Sequence, residues 1–274
     1  MPALQRNHIV DLFCWVDELV PRPQKKAGRP PALSETEVLT ILVWNTLALK
    51  QKTLKEVYDF VQIYHHDDFP RLPSYQSFVD ECHRYLPRMF ALLTQLLCDT
   101  EPIRIMDSTM LPVCKPHRVD SHKTALNIAQ LGKNWQGWHY GFKLHTSISL
   151  DGKLCGLVLT PANVYDAQPM VCILNEHCRL AVGDTHYGAK VMGSIIRKLY
   201  GTVIIAPPFP KQNKKIAAPW QIAFLEARSK IECVFDYLKE HLHLVSSFPR
   251  SVGGYVLHYV RILLAYQIGI LACQ

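Results

Sequence analysis

Three charged side chains in the segment RSKIECVFDYLK, residues 228–239, have a spacing that would let them act together. If the segment is one helix, a rotation of 100° per residue places Arg228, Glu232 and Lys239 within about 40° of one another. An apolar stripe lies beside them and consists of Ile231, Val234, Phe235 and Leu238. Glu232 is therefore predicted at the border of a buried face, where an ionised carboxylate needs a partner charge or a metal ion.

Two aspartates occupy comparable positions earlier in the chain. Asp107 directly follows the apolar run IRIM, and Asp184 ends the run RLAVGD. Both runs are predicted as short β-strands that end at the aspartate. Ligands bind at the carboxyl ends of strands in open α/β sheets, so the two carboxylates are predicted at one edge of a sheet. With Glu232 on a helix that packs on the same sheet, they would supply oxygen ligands for Mg²⁺.

This set of carboxylates suits phosphodiester chemistry. Two Mg²⁺ or Mn²⁺ ions about 4 Å apart activate a water or hydroxyl and stabilise the leaving oxygen. Oxygen ligands favour such hard cations, whereas His and Cys favour softer ones. Each residue also has a purely structural alternative, in which Asp107 caps a turn, Asp184 caps the helix after THYG, and Glu232 pairs with Arg228 at i−4.

The distribution of basic residues favours an anionic partner. The formal net charge is +7 and the sequence pI is about 8.9. Arg29, between a glycine and a proline, resembles the short arms that insert arginine into the minor groove, although a proline-rich spacer would look the same. Lys143 and His145 lie two apart on a predicted strand and share one face, which either meets the DNA backbone or is the polar outer face of a hairpin.

The N-terminal third of the chain has a helical pattern. Ser34 with Glu37, and Thr53 with Glu56, form two capping boxes, each directly before a helical segment. A third helical pattern follows, and Pro87 within it is predicted to kink or divide that helix.

From about residue 102 the pattern changes to short β-type runs. A hairpin is predicted around Asp151-Gly152, followed by a helix over AQPMVCILNEH and then by alternating strands and helices. This order predicts an α/β layered domain with a mixed sheet, in which the first strands are antiparallel and the later ones parallel.

The most apolar segment, residues 255–273, is interrupted by His258, Arg261 and Gln267. A buried core helix is therefore predicted instead of a membrane span. Nine cysteines without a Cys-x-x-Cys pair, and no leader-like opening, indicate reduced thiols and a cytoplasmic protein.

The order Asp107, then GDTHYG with Asp184, then RSKIECVFDYLK resembles the Asp-Asp-Glu transposases of bacterial insertion sequences. The spacing of Arg228, Glu232 and Lys239 matches most of their Tyr-Arg-Glu-Lys signature, but position 225 is leucine where the signature has tyrosine. Further similar segments are HYGFKLH, TPANVYDAQ and FPRSVGGYVLHYVRILLAYQIG, so the resemblance covers about residues 28–270. The most similar subgroup is the insertion-sequence nine-eighty-two family.

Two positions depart from that subgroup. Asp184-Thr185-His186-Tyr187 stands where its members often carry Asp-Lys-Gly-Tyr, and Tyr165 stands where histidine is frequent.

The resemblance implies an α/β fold with a ribonuclease-H-like mixed sheet flanked by helices and a small all-helical N-terminal domain. Residues 1–98 would form the DNA-binding domain, and residues 99–274 the ribonuclease-H-like catalytic domain.

The resemblance also implies a function. Asp107, Asp184 and Glu232 would bind two Mg²⁺ or Mn²⁺ ions, while Arg228 and Lys239 would hold phosphates or the flipped DNA end. Such an enzyme cleaves the terminal inverted repeats of its element and joins the 3′-hydroxyl to target DNA, acting as a homodimer or higher oligomer on double-stranded DNA. The alternatives are a nuclease of the same fold that only hydrolyses, and a DNA-binding protein derived from a transposase that no longer catalyses.

Overall fold

A computed structural model of the 274-residue chain describes residues 7–20, 30–134, 137–208 and 218–272. The described residues group into two compact units, one helical and one mixed α/β, and each is described by itself. The fold class is the predicted one: a mixed sheet flanked by helices, with a helical N-terminal region.

The described part of the helical unit begins with four helices: α1 (Asn7–Leu19), α2 (Glu35–Ala48), α3 (Leu54–Tyr64) and α4 (Tyr75–Gln95). Both predicted capping boxes are confirmed. Ser34 Oγ accepts from the Glu37 amide at 3.2 Å, and the Glu37 carboxylate accepts from the Ser34 amide at 2.6 Å. Thr53 and Glu56 repeat this arrangement before α3, so each helix begins where its first free N–H groups find acceptors.

Pro87 lies inside α4, and the prediction that it divides the helix is wrong. Proline removes one helical hydrogen bond. The helix nevertheless buries an apolar face on both sides of it, formed by Phe78, Cys82, Met89 and Leu92. Packing of this face keeps the helix continuous across the missing hydrogen bond.

Within the described residues, six strands form one sheet: β1 (Ile103–Cys114), β2 (Gln130–Asn134), β3 (Gly137–Ile148), β4 (Leu154–Pro161), β5 (Leu180–Val182) and β6 (Val203–Ile205). The strand order is β2-β3-β1-β5-β6, and β4 pairs with β3. Strand β3 is antiparallel to β1, β2 and β4, whereas β5 is parallel to β1 and β6. The predicted mixed sheet and the β3–β4 hairpin are therefore confirmed.

Strand β1 does not end at Asp107 as predicted but continues to Cys114. The residues after Asp107 stay paired with β3, and Met110, Leu111 and Val113 are buried. Their burial favours extension of the strand, so Asp107 lies in the middle of β1.

Four helices follow among the described residues of the α/β unit: α5 (Met170–Ile173), α6 (Lys190–Tyr200), α7 (Pro219–Ala227) and α8 (Ser229–Asp236). The helix predicted over AQPMVCILNEH is reduced to the single turn α5, which Pro169 precedes and the extended residue Leu174 follows. Helices α5 and α6 share a buried core with the sheet residues Met106 and Ala181.

The segment of residues 228–239 is not one uniform helix. Helix α8 ends at Asp236, and a π-helical turn, Tyr237–His241, follows it. Arg228 lies at the junction of α7 and α8. Because a π turn has more residues than an α turn, the 100° spacing does not extend to Lys239.

The predicted C-terminal core helix is confirmed as α9 (Val252–Leu271). Its length and composition would also suit a membrane span, but most of its side chains are buried. Arg261 is buried and donates to the carbonyls of Gln51 and Lys52. These hydrogen bonds offset part of the free-energy cost of burying the charged guanidinium.

Helix α9 groups with α1 to α4, and the α/β unit extends from Leu97 to Tyr237 with residues 245–247. The predicted catalytic domain, residues 99–274, included α9. The proposed domains, residues 1–98 and 99–274, remain a prediction.

The close contact between Gly183 and Tyr187 yields a test of the fold beside β5. A Cβ atom on Gly183 would lie 2.8 Å from the Tyr187 ring, which is fully buried. We expect Gly183→Ala to lower the free energy of unfolding by about 1–3 kcal/mol in urea titrations, because the ring has no room to move. Gly193→Ala is the control: it meets nothing within 4 Å on α6 and should stabilise by about 0.5–1 kcal/mol. Equal stability of Gly183→Ala and the native protein would contradict the packing described for Tyr187.

Candidate active site

The register of the sheet brings Asp107 and Asp184 to neighbouring positions. The parallel pairing of β1 with β5 ends at Ile105 opposite Val182. Each aspartate lies two residues beyond that last pair. Adjacent strands are about 4.8 Å apart, so matching positions just beyond a pair remain close. The two aspartates were predicted at the carboxyl ends of their strands; they follow the β1–β5 pair in register, but Asp107 lies within β1.

Asp184 is held by the turn that it opens. It precedes the 3₁₀ turn Thr185–Gly188, and its Oδ1 accepts from the His186 amide at 2.9 Å. The capping alternative for Asp184 therefore describes its hydrogen bond, with the cap on this short turn and not on the following helix. A cap uses one carboxylate oxygen, and the structure shows no hydrogen bond from a described residue to Oδ2.

Asp107 is mostly buried, with 18% of its side chain exposed. Its Oδ1 accepts from the Ser108 amide at 2.8 Å. Burial raises the pKa of Asp107 to about 7, and the Asp184 and Asp166 carboxylates contribute to the rise. The Ser108 hydrogen bond and the Arg228 charge oppose that rise without cancelling it. The proposed turn-capping role of Asp107 is not observed, because the strand continues through it.

Glu232 is more exposed than predicted, since 54% of its side chain is accessible. Ile231, Val234 and Phe235 bury the inner face of α8, and Glu232 lies outside that face. The predicted apolar stripe is thus buried, and Glu232 lies beside it on the exposed side of α8, paired with Arg228 at i−4. Arg228 Nη1 lies 3.0 Å from Glu232 Oε1 and 3.8 Å from Asp107 Oδ2, so one guanidinium links the two carboxylates.

Lys143 and His145 share a face of β3, as predicted, but that face is buried. Lys143 Nζ donates to Asp166 Oδ1 at 3.0 Å and to the Val164 carbonyl at 2.9 Å. His145 Nε2 lies 2.9 Å from Thr160 Oγ1, and burial lowers the pKa of His145 to about 4. The prediction that this face is open to the DNA backbone is wrong, because both side chains point to protein partners.

Asp166 is the residue of this site that sequence analysis did not assign. It follows β4 within TPANVYDAQ. Its Oδ1 accepts from Ser108 Oγ at 2.7 Å and from Lys143, and it lies 3.8 Å from His145 Nδ1. A signal was present: a lysine on an otherwise buried strand requires a counter-charge, and Asp166 is an acidic residue just past the paired strand.

The structure describes only one of the two remaining predicted DNA-binding residues, Lys239 and Arg29. Lys239 lies in the π-helical turn. Arg29 lies outside the described residues. Their predicted roles remain predictions.

The three carboxylates are chemically suitable ligands for a hard divalent cation. Asp107, Asp184 and Glu232 offer carboxylate oxygens, and the neighbouring negative charges that raise the pKa of Asp107 would be relieved by a cation. Over residues 7–20, 30–134, 137–208 and 218–272, however, no three His, Cys, Asp or Glu side chains are grouped closely enough to hold a metal ion. Arg228 stands between Asp107 and Glu232, so these two carboxylates must approach each other for joint coordination.

The α/β unit lies within a segment that matches a known protein family. The family described as Transposase DDE domain matches residues 97–252, which is more than half of the chain. The chain belongs to the transposase DDE domain family. The matched segment contains Asp107, Asp184 and Glu232, together with all strands of the sheet. No curated protein matches the chain at a significant level. The assignment to the insertion-sequence nine-eighty-two subgroup remains a prediction.

The raised pKa of Asp107 makes the stability of this transposase-family protein depend on pH. Between about pH 4 and pH 7 the folded state holds a proton on Asp107 that the unfolded chain releases. Raising the pH through this range therefore lowers the free energy of unfolding, by up to about 1.4 kcal/mol per pH unit from this group. Asp107→Asn removes that dependence. We therefore expect the free energy of unfolding of the variant to increase relative to that of the native protein as the pH rises from 5 to 8.

Urea unfolding in EDTA at four pH values measures this difference. Asp151→Asn, in the exposed turn of the β3–β4 hairpin, is the matched control and should follow the native protein at each pH. A pH-independent difference between Asp107→Asn and the native protein would show that Asp107 has an ordinary pKa.

Proposed function

We propose that this protein is a DNA transposase that cleaves the ends of its mobile element and joins the 3′-hydroxyl to target DNA. The observation that carries the proposal is the register that brings Asp107 and Asp184 to matching positions beyond the β1–β5 pair. Glu232 is linked to Asp107 through Arg228, and all three carboxylates lie inside the segment that matches the transposase family.

Asp107, Asp184 and Glu232 would hold two Mg²⁺ or Mn²⁺ ions. When bound, such ions supply the positive charge that activates a nucleophile and stabilises the leaving oxygen of a phosphodiester. Cleavage with water and joining with a DNA hydroxyl are both in-line displacements at phosphorus, so one set of carboxylates can serve both steps.

Arg228 has the chemistry to bind a DNA phosphate. Its guanidinium is a planar donor whose geometry matches carboxylate and phosphate oxygens. In the protein alone it contacts Glu232 and Asp107. We infer that cations on the carboxylates release this guanidinium toward the phosphate backbone. Lys239 would add a second phosphate contact, and Arg29 a contact in the minor groove.

Double-stranded DNA is the proposed partner of this protein. The N-terminal helices would recognise the terminal inverted repeats of the element, and target DNA would be the second substrate. Two ends must be held together for transposition, so we propose a homodimer or higher oligomer on DNA. The cytoplasm, where bacterial DNA is located, is the proposed compartment.

The carboxylates give the first test. Asp107→Asn, Asp184→Asn and Glu232→Gln remove charge and almost no volume, so each should abolish metal-dependent cleavage of an end-labelled duplex that carries the element's terminal repeat. Asp236→Asn, an exposed aspartate on the same helix as Glu232, is the matched control and should cleave normally. Full cleavage by one of the three variants, with Mg²⁺ present, would exclude that residue from the site.

The products give the second test. With Mg²⁺ or Mn²⁺ we expect a nick at the repeat boundary, followed by joining of the new 3′-hydroxyl end to a plasmid. Ca²⁺ should support binding with little chemistry, because its coordination shell is looser. Cleavage without joined product would favour a nuclease that only hydrolyses. Folded protein that binds the repeat but never cleaves it would favour a non-catalytic DNA-binding protein.

A further inference from the structure

Two consecutive residues in the loop between β4 and α5 reach toward different aspartates of the site. Asp166 contacts Ser108, the neighbour of Asp107. Tyr165 contacts His186, whose amide binds Asp184. Neither has a role in the proposed chemistry, and the segment TPANVYDAQ that contains them is not otherwise explained.

The Asp166 contacts tie the loop to the middle of the sheet. Its Oδ1 accepts from Ser108 Oγ on β1 at 2.7 Å and from Lys143 Nζ on β3 at 3.0 Å. The Lys143 ammonium also donates to the carbonyl of Val164, in the same loop, at 2.9 Å. A charge-assisted hydrogen bond between largely buried partners has a well-defined geometry. The loop is therefore fixed relative to the strand that carries Asp107.

The Tyr165 contacts tie the same loop to the turn that begins at Asp184. Tyr165 Oη donates to the His186 carbonyl at 3.1 Å, and the two rings meet edge to face with centroids 6.0 Å apart. The His186 amide in turn donates to Asp184 Oδ1 at 2.9 Å. His186 in the turn is thus held at both backbone groups: its carbonyl accepts from Tyr165, and its amide donates to Asp184.

The strand pairing of the sheet does not by itself fix the separation between the Asp107 and Asp184 carboxylates. Pairing of β1 with β5 stops at Ile105 and Val182, before either aspartate. On the other side of β5, the Gly183 amide donates to the Ile205 carbonyl at 3.0 Å, which ties this end of β5 to β6 but not to β1. Two nearby carboxylates also repel each other. A further connection between the two aspartates is needed to keep them at a fixed separation.

We propose that Tyr165 and Asp166 are positioning residues that form a brace between Asp107 and Asp184 and so set the separation of the two carboxylates for a divalent cation. The proposal rests on the proposed function in taking these aspartates as the metal-holding pair. Ala167, the next residue, is buried in one core with Met106 and Tyr187, and this packing fixes the loop between its two polar contacts.

Two conservative substitutions test the brace. Tyr165→Phe removes only the hydroxyl that binds the His186 carbonyl, and this residue is 44% exposed, so little stability should be lost. Tyr64→Phe, at an exposed tyrosine on α3, is its matched control. Asp166→Asn keeps an oxygen that can accept from Ser108 but removes the charge that faces Lys143. Asp151→Asn serves as its control.

The first measurement is Mn²⁺ affinity by isothermal titration calorimetry, without DNA. Loss of a residue that orients a metal ligand commonly weakens metal affinity by about tenfold or more. We expect such a loss in Tyr165→Phe and in Asp166→Asn, and none in the two controls. Because both residues hold one loop, the double variant should lose less than the product of the two single effects. Unchanged Mn²⁺ affinity in both single variants, where Asp107→Asn abolishes binding, would overturn the brace.

The second measurement is amide hydrogen exchange of metal-free protein at residues 183–188. Asp166→Asn alters a contact on the β1 side of the loop, so faster exchange in the Asp184 turn would show that the brace transmits the change. Faster exchange confined to residues 162–168 would overturn it. This readout keeps the inference separate from the proposed function: a protein that binds Mn²⁺ and shows the exchange effect, yet cleaves no DNA, would refute the transposase activity and retain the brace.

Discussion

The parallel pairing of two short strand segments is the constraint on which the candidate site depends. Three residue pairs join β1 to β5, and the last is Ile105 with Val182. This register places Asp107 and Asp184 at matching positions beyond the last pair, and a shift of one residue would turn one side chain to the other face of the sheet. The apolar core of α5, α6 and the sheet holds the register, since Met106 and Ala181 are both buried in it.

Concentrated negative charge is the main electrostatic feature of the site. Asp107 is buried beside Asp184 and Asp166, and these neighbours contribute to raising its pKa to about 7. Two basic side chains of the described residues contact these carboxylates: Lys143 binds Asp166, and Arg228 contacts Asp107 and Glu232. Lys143 is buried on its strand, whereas Arg228 is partly exposed. The Arg228 contacts are therefore the ones that a divalent cation or a DNA phosphate is expected to replace.

The sequence predicted much of this fold, because local signals and the global fold agreed. Capping boxes located α2 and α3, the Asp151-Gly152 turn located the hairpin, and alternating strands and helices predicted the mixed sheet. The features that the sequence did not predict have physical causes. The end of β1 depended on its pairing with β3, a contact between segments far apart in sequence. Asp166 was missed because its partners, Ser108 and Lys143, lie far away in sequence and meet it only through the sheet.

The central claim is that Asp107 and Asp184 hold a divalent cation at the end of the β1–β5 pair. The most direct measurement is anomalous diffraction from crystals of the native protein soaked in Mn²⁺. We expect an anomalous peak within about 2.5 Å of carboxylate oxygens of both aspartates, with the Arg228 guanidinium displaced from Glu232. Mn²⁺ bound only elsewhere, with Arg228 still joining Asp107 to Glu232 at saturating metal, would contradict it.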